Sequence, residues 1–317
     1  MSWKLLALAL LAGLTASAQR IPIILDTDIG DSIDDALALA FALHSPELDV
    51  RAVTTVIDDV ESKTRLAWKM LGVYNRRDVA LAMGAPEPLL DPTTSVASKE
   101  FEVLTRNDTI PNTGPDAARK RAVDLIIDTA LQSRGKITIV AIGPMTNIAL
   151  ALKTDPRIKN NIERIVIMGG AYLSSETEYN VKRDRAAAEI VFQSGVPITA
   201  VGLDVTSQCK LREKDIDRMR LGNDPASNFL VRLIDLAEEQ THEANPTLYD
   251  PLAIAAIFRP DLLSYQPGAV SVPLSGPGQT IFKPIAGSKT QVAVKVNAAA
   301  FLDLFMDRVT RGLGGLR

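Results

Sequence analysis

Residues 26–35 read DTDIGDSIDD, five aspartates in ten positions. Few folds can accommodate that stretch. So dense a run of like charge repels itself unless protons or a hard cation neutralise it, and several oxygen ligands on a flexible loop suit calcium. As helix caps and dipole partners, Asp34 and Asp35 need no further explanation. Asp26 and Asp28 have no such role. The lead-in Ile21 to Leu25 is a continuous β-branched and Leu run and predicts a short buried strand. The run after Asp35, apolar nearly all round, predicts a helix buried on most faces. The acids therefore sit where a buried strand hands over to a buried helix, where open α/β sheets bind their ligands.

Strand and helix signals keep alternating from there. Strands are predicted at Val50–Val56, Val79–Met83, Ile137–Ile142, Ile165–Met168 and Ile198–Leu203, with helices at Val60–Tyr74, Ala117–Gln132, from Asn147, and at Arg185–Gln193. That alternation predicts an open, mostly parallel Rossmann-like α/β sheet with helices on both faces and an active site at the C-terminal ends of the strands. Beyond Asp204 the pattern turns helical, at Glu213–Arg220, Pro225–His242 and Pro251–Phe258. Late strands at Val270–Leu274 and Val292–Val296 and a closing helix at Ala298–Val309 follow. Pro86 to Pro115 shows little periodicity and reads as a long functional surface loop.

Lys4, the apolar run Leu5 to Leu14 and Ala16-Ser17-Ala18 are ordered as in a cleavable export signal. Residues 1–18 are thus expected to be a signal peptide, and residues 19–317 a single catalytic domain working in the periplasm or outside the cell. The leader's apolar run is too short to span a bilayer, which takes about 20 residues. With 35 Lys plus Arg against 38 Asp plus Glu, there is no electrostatic argument for nucleic acid or an anionic membrane. The single cysteine, Cys209, excludes an internal disulfide.

Other strand ends carry polar groups toward the same rim: Asp58 and Asp59, Glu178 and Asn180, and Asp250. Asp250-Pro251 is also a good cap-then-first-position pair in its own right, and Glu178 and Asn180 also fit ordinary loop polars. Together with the acidic turn, the blocks AVTTV (52–56), IGPMTNIALAL (142–152), IVIMGGAY (165–172), EYN (178–180), VGLDVT (201–206) and DPLAIAA (250–256) give the chain its resemblance to the inosine–uridine-preferring nucleoside hydrolases. The resemblance implies hydrolysis of the N-glycosidic bond of a small-molecule ribonucleoside, a bound Ca2+ and a homo-oligomer. It implies Asp28, Asp35, Asp250 and the Ile142 carbonyl as metal ligands, with Asp28 also the general base. Asp34, Glu178, Asn180 and Asp59 would contact substrate.

The sequence departs from the family pattern in four places. Asp31-Ser32-Ile33 makes the acidic turn two residues longer, and Asp59 stands where Asn is common. The loop from Gly170 to Glu178 is short and lacks a usual Asn. Tyr249 replaces a His that would protonate the leaving base, so Tyr249 is the expected leaving-group contact. His242 is either an exposed helix-end residue or a second proton source. An aspartyl-phosphate enzyme is disfavoured because the Gly of DTDIG is displaced and no Thr follows it. No G-x-G-x-x-G follows a strand, which removes the dinucleotide reading. The non-enzyme alternative is an exported nucleoside- or sugar-binding protein with a degenerate hydrolase site. Tyr249 favours that alternative, and the retention of Asp28 opposes it.

Overall fold

The computed structural model describes residues 20–90, 92, 97–110, 121–222 and 224–310. The expected leader, residues 1–18, lies outside the described residues, as do parts of the long loop and residues 117–120 of the helix expected there.

The strands are β1 (Ile21–Thr27), β2 (Leu48–Thr55), β3 (Ala80–Ala82), β4 (Ile137–Ala141), β5 (Ile162–Met168), β6 (Ile198–Val201), β7 (Leu263–Ser271), β8 (Ile281–Pro284) and β9 (Thr290–Val296). They form one nine-stranded sheet in the order β3-β2-β1-β4-β5-β6-β9-β7-β8. From β3 to β9 every pairing is parallel, while β7 runs antiparallel to both β9 and β8. The helices are α1 (Ile33–His44), α2 (Val60–Val73), α3 (Ala122–Gln132), α4 (Thr146–Thr154), α5 (Tyr179–Arg183), α6 (Arg185–Phe192), α7 (Leu203–Thr206), α8 (Glu213–Arg220), α9 (Pro225–Thr241), α10 (Tyr249–Phe258) and α11 (Ala298–Val309). No described helix is long and apolar enough to cross a membrane.

Alternation along the central strands sorts the core into two layers. Ile23 and Leu25 of β1 and Val140 of β4 face the layer built with α1, α9, α10 and α11. Ile24, Ile139 and Ala141 face the layer built with α3, α4 and α6. A strand buried on both faces must be apolar at every position, which is why these segments read as unbroken runs. α1 and α10 are buried for the same reason. Phe41 of α1 packs on Phe258 of α10 and on Phe301 and Phe305 of α11, with ring centroids 5.4–6.4 Å apart.

Chain order reverses beside β1. β2 and β3 lie on one side, and β4, β5 and β6 follow on the other. Loops leaving β1 and β4 at their carboxyl ends therefore diverge and open a crevice. Asp28 follows β1, and Ile142 follows β4.

The late expectations need correction. β7 covers Leu263–Ser271 instead of Val270–Leu274, because its Pro267 disguised a strand. β6 stops at Val201 and the short α7 follows. Part of the long loop is ordered as a 3-10 turn, Lys99–Val103.

Candidate active site

The acidic turn is built by a glycine that no other residue replaces easily. Gly30 has φ +100°, and a β-carbon there would lie 2.5 Å from the Phe101 ring. Gly143, just past β4, does similar work from the opposite wall, because a β-carbon on it would meet Asp28 Oδ1 at 2.7 Å. The Asp28 carboxylate is thereby laid across the end of β4.

Two buried helix N-termini meet beside it. Asp34 and Asp35 occupy the first turn of α1, Asp250 that of α10, and the two helices pack together. Asp250 N–H donates to Asp34 Oδ2 at 3.1 Å, Thr27 Oγ1 donates to Asp35 Oδ1 at 2.5 Å, and Ser32 Oγ also donates to Asp34. One carboxylate oxygen from each of Asp34, Asp35 and Asp250 falls within 4.8 Å of the others, an arrangement able to hold a metal ion. Helix dipoles offset part of the negative charge. They do not offset it all. Burial holds the carboxyls of Asp28, Asp34, Asp35 and Asp250 above the usual carboxylate range. Repulsion from neighbouring aspartates adds to the rise at Asp28, Asp35 and Asp250. An all-oxygen donor set of this kind suits a hard cation.

A buried lysine stands behind this wall. Lys63, on α2 and almost wholly buried, pairs with Asp31 Oδ1 at 2.7 Å and donates to the Val56 carbonyl at 3.3 Å. Its charge pulls the Asp28 carboxyl back down, against burial and Asp31.

Glu178 ends the loop after β5, while Asn180, expected in that loop, lies in the short α5. Glu178 is the N-cap of α5, accepting from the backbone N–H groups of Asn180 (2.8 Å), Val181 (3.0 Å) and Gly170 (3.1 Å). Asn180 Nδ2 donates to the carbonyls of Ile142 (2.8 Å) and Met168 (3.2 Å), tying the ends of β4 and β5 together. The Ile142 carbonyl keeps a second lone pair for another partner.

Asp28, Asp34, Asp35, Asp250, Ile142, Glu178 and Asn180 line one cavity of about 480 Å3, together with Tyr249, Tyr179, Asp31 and Asp58. That size falls within the range of about 300–1,000 Å3 usual for small-molecule sites. Of the residues expected here, Asp28, Asp34, Asp35, Ile142, Glu178, Asn180, Tyr249 and Asp250 all border it.

Two expected residues do not. Asp59 is exposed and caps α2 by accepting from Ser62 N–H at 3.0 Å, while Asp58, with φ +60°, turns inward and pairs with Arg183. His242 is the exposed left-handed cap at the end of α9 and borders neither this cavity nor the smaller one beside it. Asp28, expected among the metal ligands, borders the cavity beside the converging Asp34, Asp35 and Asp250 and adds to the repulsion on Asp35 and Asp250. Asp26, one of the five acids of the turn, lies behind the site. Its Oδ1 accepts from Thr54 Oγ1 at 2.5 Å and Asn147 Nδ2 at 2.8 Å, and burial pushes its carboxyl up to about 7. Asn147, unmarked in the sequence reading, also donates to the Thr55 carbonyl and accepts from Ala85 N–H.

Comparison with known proteins follows the same lines. The profile described as inosine-uridine preferring nucleoside hydrolase matches residues 23–303. The pyrimidine-specific ribonucleoside hydrolase RihA of Escherichia coli O127:H6 is 35% identical over 307 residues, covering 91% of this chain and 98% of its own. Among solved structures, the purine-preferring ribonucleoside hydrolase from Gardnerella vaginalis superposes with a TM-score of 0.78 at 34% identity, covering 92% of this chain and 98% of that one. The plant nucleoside hydrolase PpNRh1 gives 0.79 at 30% identity, covering 92% of this chain and all of the other (100%).

Proposed function

Because this chain belongs to the inosine-uridine preferring nucleoside hydrolase family, we propose that its cavity hydrolyses the N-glycosidic bond of a ribonucleoside, with a bound calcium ion, to ribose and free base. The observation that carries this reading is the convergence of three buried carboxylates at two helix N-termini, in a cavity at the switch point of the sheet. Asp28, Asp35, Asp250 and the Ile142 carbonyl would hold the ion, with Asp34 beside them. When bound, calcium would offset part of the trio's charge and would supply Lewis acidity to water and hydroxyl oxygens there.

The chain's own groups supply the rest. Asp28 takes a proton from the water as its oxygen bonds to C1′. The bond from C1′ to the base nitrogen breaks, and its electron pair leaves with the base. Positive charge building on the ribose ring meets a wall of carboxylates held in place before the reaction starts. Asp34, Glu178 and Asn180 fix the ribose by its hydroxyls, which lowers the entropic part of the barrier. Tyr249 contacts the departing base. The protein is exported after loss of residues 1–18, works as one domain over residues 19–317, and self-associates; mass spectrometry of secreted protein and sedimentation test those parts.

A panel of purine and pyrimidine nucleosides, scored for free ribose with calcium and with a chelator, tests the reading. Ribose release that chelation abolishes and calcium restores is the expected result. Nucleoside binding without release would point to the exported binding protein instead.

A further inference from the structure

Seven of the side chains that border the large cavity carry a carboxyl group, and among the described residues none that borders it is lysine, arginine or histidine. A smaller cavity of about 120 Å3 adjoins it at Asp31, Asp34 and Tyr249, adds Glu243 to the acids, and again has no basic residue at its wall. Lys63 and Arg183 answer Asp31 and Asp58 from behind. Asp28, Asp34, Asp35, Glu178 and Asp250 have no such partner. A divalent cation offsets two of those charges, so the wall stays acidic with a metal in place.

No histidine serves this wall. The chain has two, and neither borders either cavity. His44 ends α1 with its ring against Tyr74, centroids 5.0 Å apart, and His242 is the exposed cap of α9. Carboxyls that hold a metal must give up their protons to do so, and they cannot stand in as acids. What the cavity does present is two aromatic rings, Tyr179 and Tyr249. A phenol donates a hydrogen bond but is a poor acid at neutral pH. A neutral nucleobase, which leaves as an anion, therefore departs past carboxylates with no good acid beside it. A base that is already a cation meets the opposite situation. Carboxylates and aromatic faces both attract it, and it leaves as a neutral molecule.

This inference rests on the nucleoside reading given above and narrows its substrate. We propose that the site takes ribosides whose base carries a fixed positive charge, N-ribosylpyridinium compounds, in preference to neutral nucleosides. In the proposed step the water oxygen bonds to C1′ and its proton passes to Asp28. The C1′–N bond breaks, its electron pair goes to the pyridinium nitrogen, and a neutral pyridine leaves without needing a proton. Positive charge moves from the base to the ribose ring and stays against the acidic wall throughout.

The assay compares the wild type, with calcium, on N-ribosylpyridinium, p-nitrophenyl riboside, uridine and inosine. Pyridine and nitrophenolate both leave without a proton, so that pair isolates the effect of charge. KM for the pyridinium riboside should be lower by at least about tenfold, equivalent to about 1.4 kcal/mol. Its kcat/KM should exceed that of uridine and inosine by about 100-fold, the lower order of what general-acid help to a leaving group supplies. Binding alone is read with two inhibitors of the same shape: the N-methylpyridinium cation should act at a concentration about tenfold below that of neutral toluene. Equal KM for the pyridinium and nitrophenyl ribosides, equal inhibition by the two isosteres, or a kcat/KM no higher than that of uridine and inosine overturns the proposal. A protein that releases ribose from none of the four overturns the underlying reading as well; one that acts on uridine or inosine and not on the pyridinium riboside overturns this proposal alone.

Discussion

Replacing Asp35 by asparagine should stabilise the protein without metal and remove its response to metal. The reason is electrostatic. The carboxylate oxygens of Asp34, Asp35 and Asp250 lie within 4.8 Å of one another, and all three groups are buried. At an effective dielectric of about 20, two unit charges some 5 Å apart repel by ~3 kcal/mol. Protonation caps that repulsion, since each pKa unit of upward shift corresponds to about 1.4 kcal/mol. Taking one charge away should therefore return about 1–3 kcal/mol, or roughly 2–5 °C in Tm for a chain of this size.

The pH dependence has a definite sign. The Asp35 carboxyl in the folded chain is held well above 3.8 by burial and by Asp28 and Asp34. Above pH 4 the folded state keeps a proton that the unfolded state has lost, so metal-free stability falls as pH rises toward and past neutrality. Asp35→Asn should flatten that slope. Calcium should act in the opposite sense, stabilising the wild type more at high pH because protons compete with it for the same oxygens. At 100-fold excess over its Kd the ion contributes about 3 kcal/mol. Thermal melts from pH 5 to 8, with calcium and with chelator, read all of this. The reasoning is refuted if Asp35→Asn melts below the wild type in chelator, or still gains several degrees from calcium.

Asp28→Asn should lower kcat by about 100- to 10,000-fold while leaving Tm unchanged or raised, as kinetics and thermal melts will register. Lys63→Met should cost about 3–5 kcal/mol by urea denaturation, because it strands Asp31 beside Asp28, and adding Asp31→Asn should recover much of the loss. Tyr249→Phe should be mild with p-nitrophenyl riboside and more damaging with a natural nucleoside; equal losses would assign Tyr249 to packing.

Much of this was legible in the chain. Unbroken apolar runs such as Ile21–Leu25 have one stable use in a soluble α/β protein, and the acids that follow them mark the rim. α5 was missed because Tyr179–Arg183 is five residues long, too short for a helical period to show. Asp59 and Asp58 are adjacent in sequence, and only the backbone decides which faces the cavity. The left-handed conformation of Ile57 and Asp58 turns Asp58 inward and leaves Asp59 to cap α2. His242 sits near Tyr249 in sequence but ends α9 facing solvent.

The charge balance of the site ties metal and mechanism together. Asp28, Asp31, Asp34, Asp35, Asp58, Glu178 and Asp250 border the large cavity. Asp58 is answered by Arg183, and Asp31 by Lys63. Asp31 thus brings a carboxylate to the cavity that pairs with an ammonium on α2, so the pair adds no net charge to the wall. What remains after both pairings is an acid excess that two helix dipoles offset only in part. A divalent cation reduces that excess when bound, and a cationic ribosyl group reduces it again at the moment the glycosidic bond breaks. A site that is least comfortable when empty, and most comfortable when its occupant is positive, favours the transition state over the neutral nucleoside, and that difference accelerates the reaction.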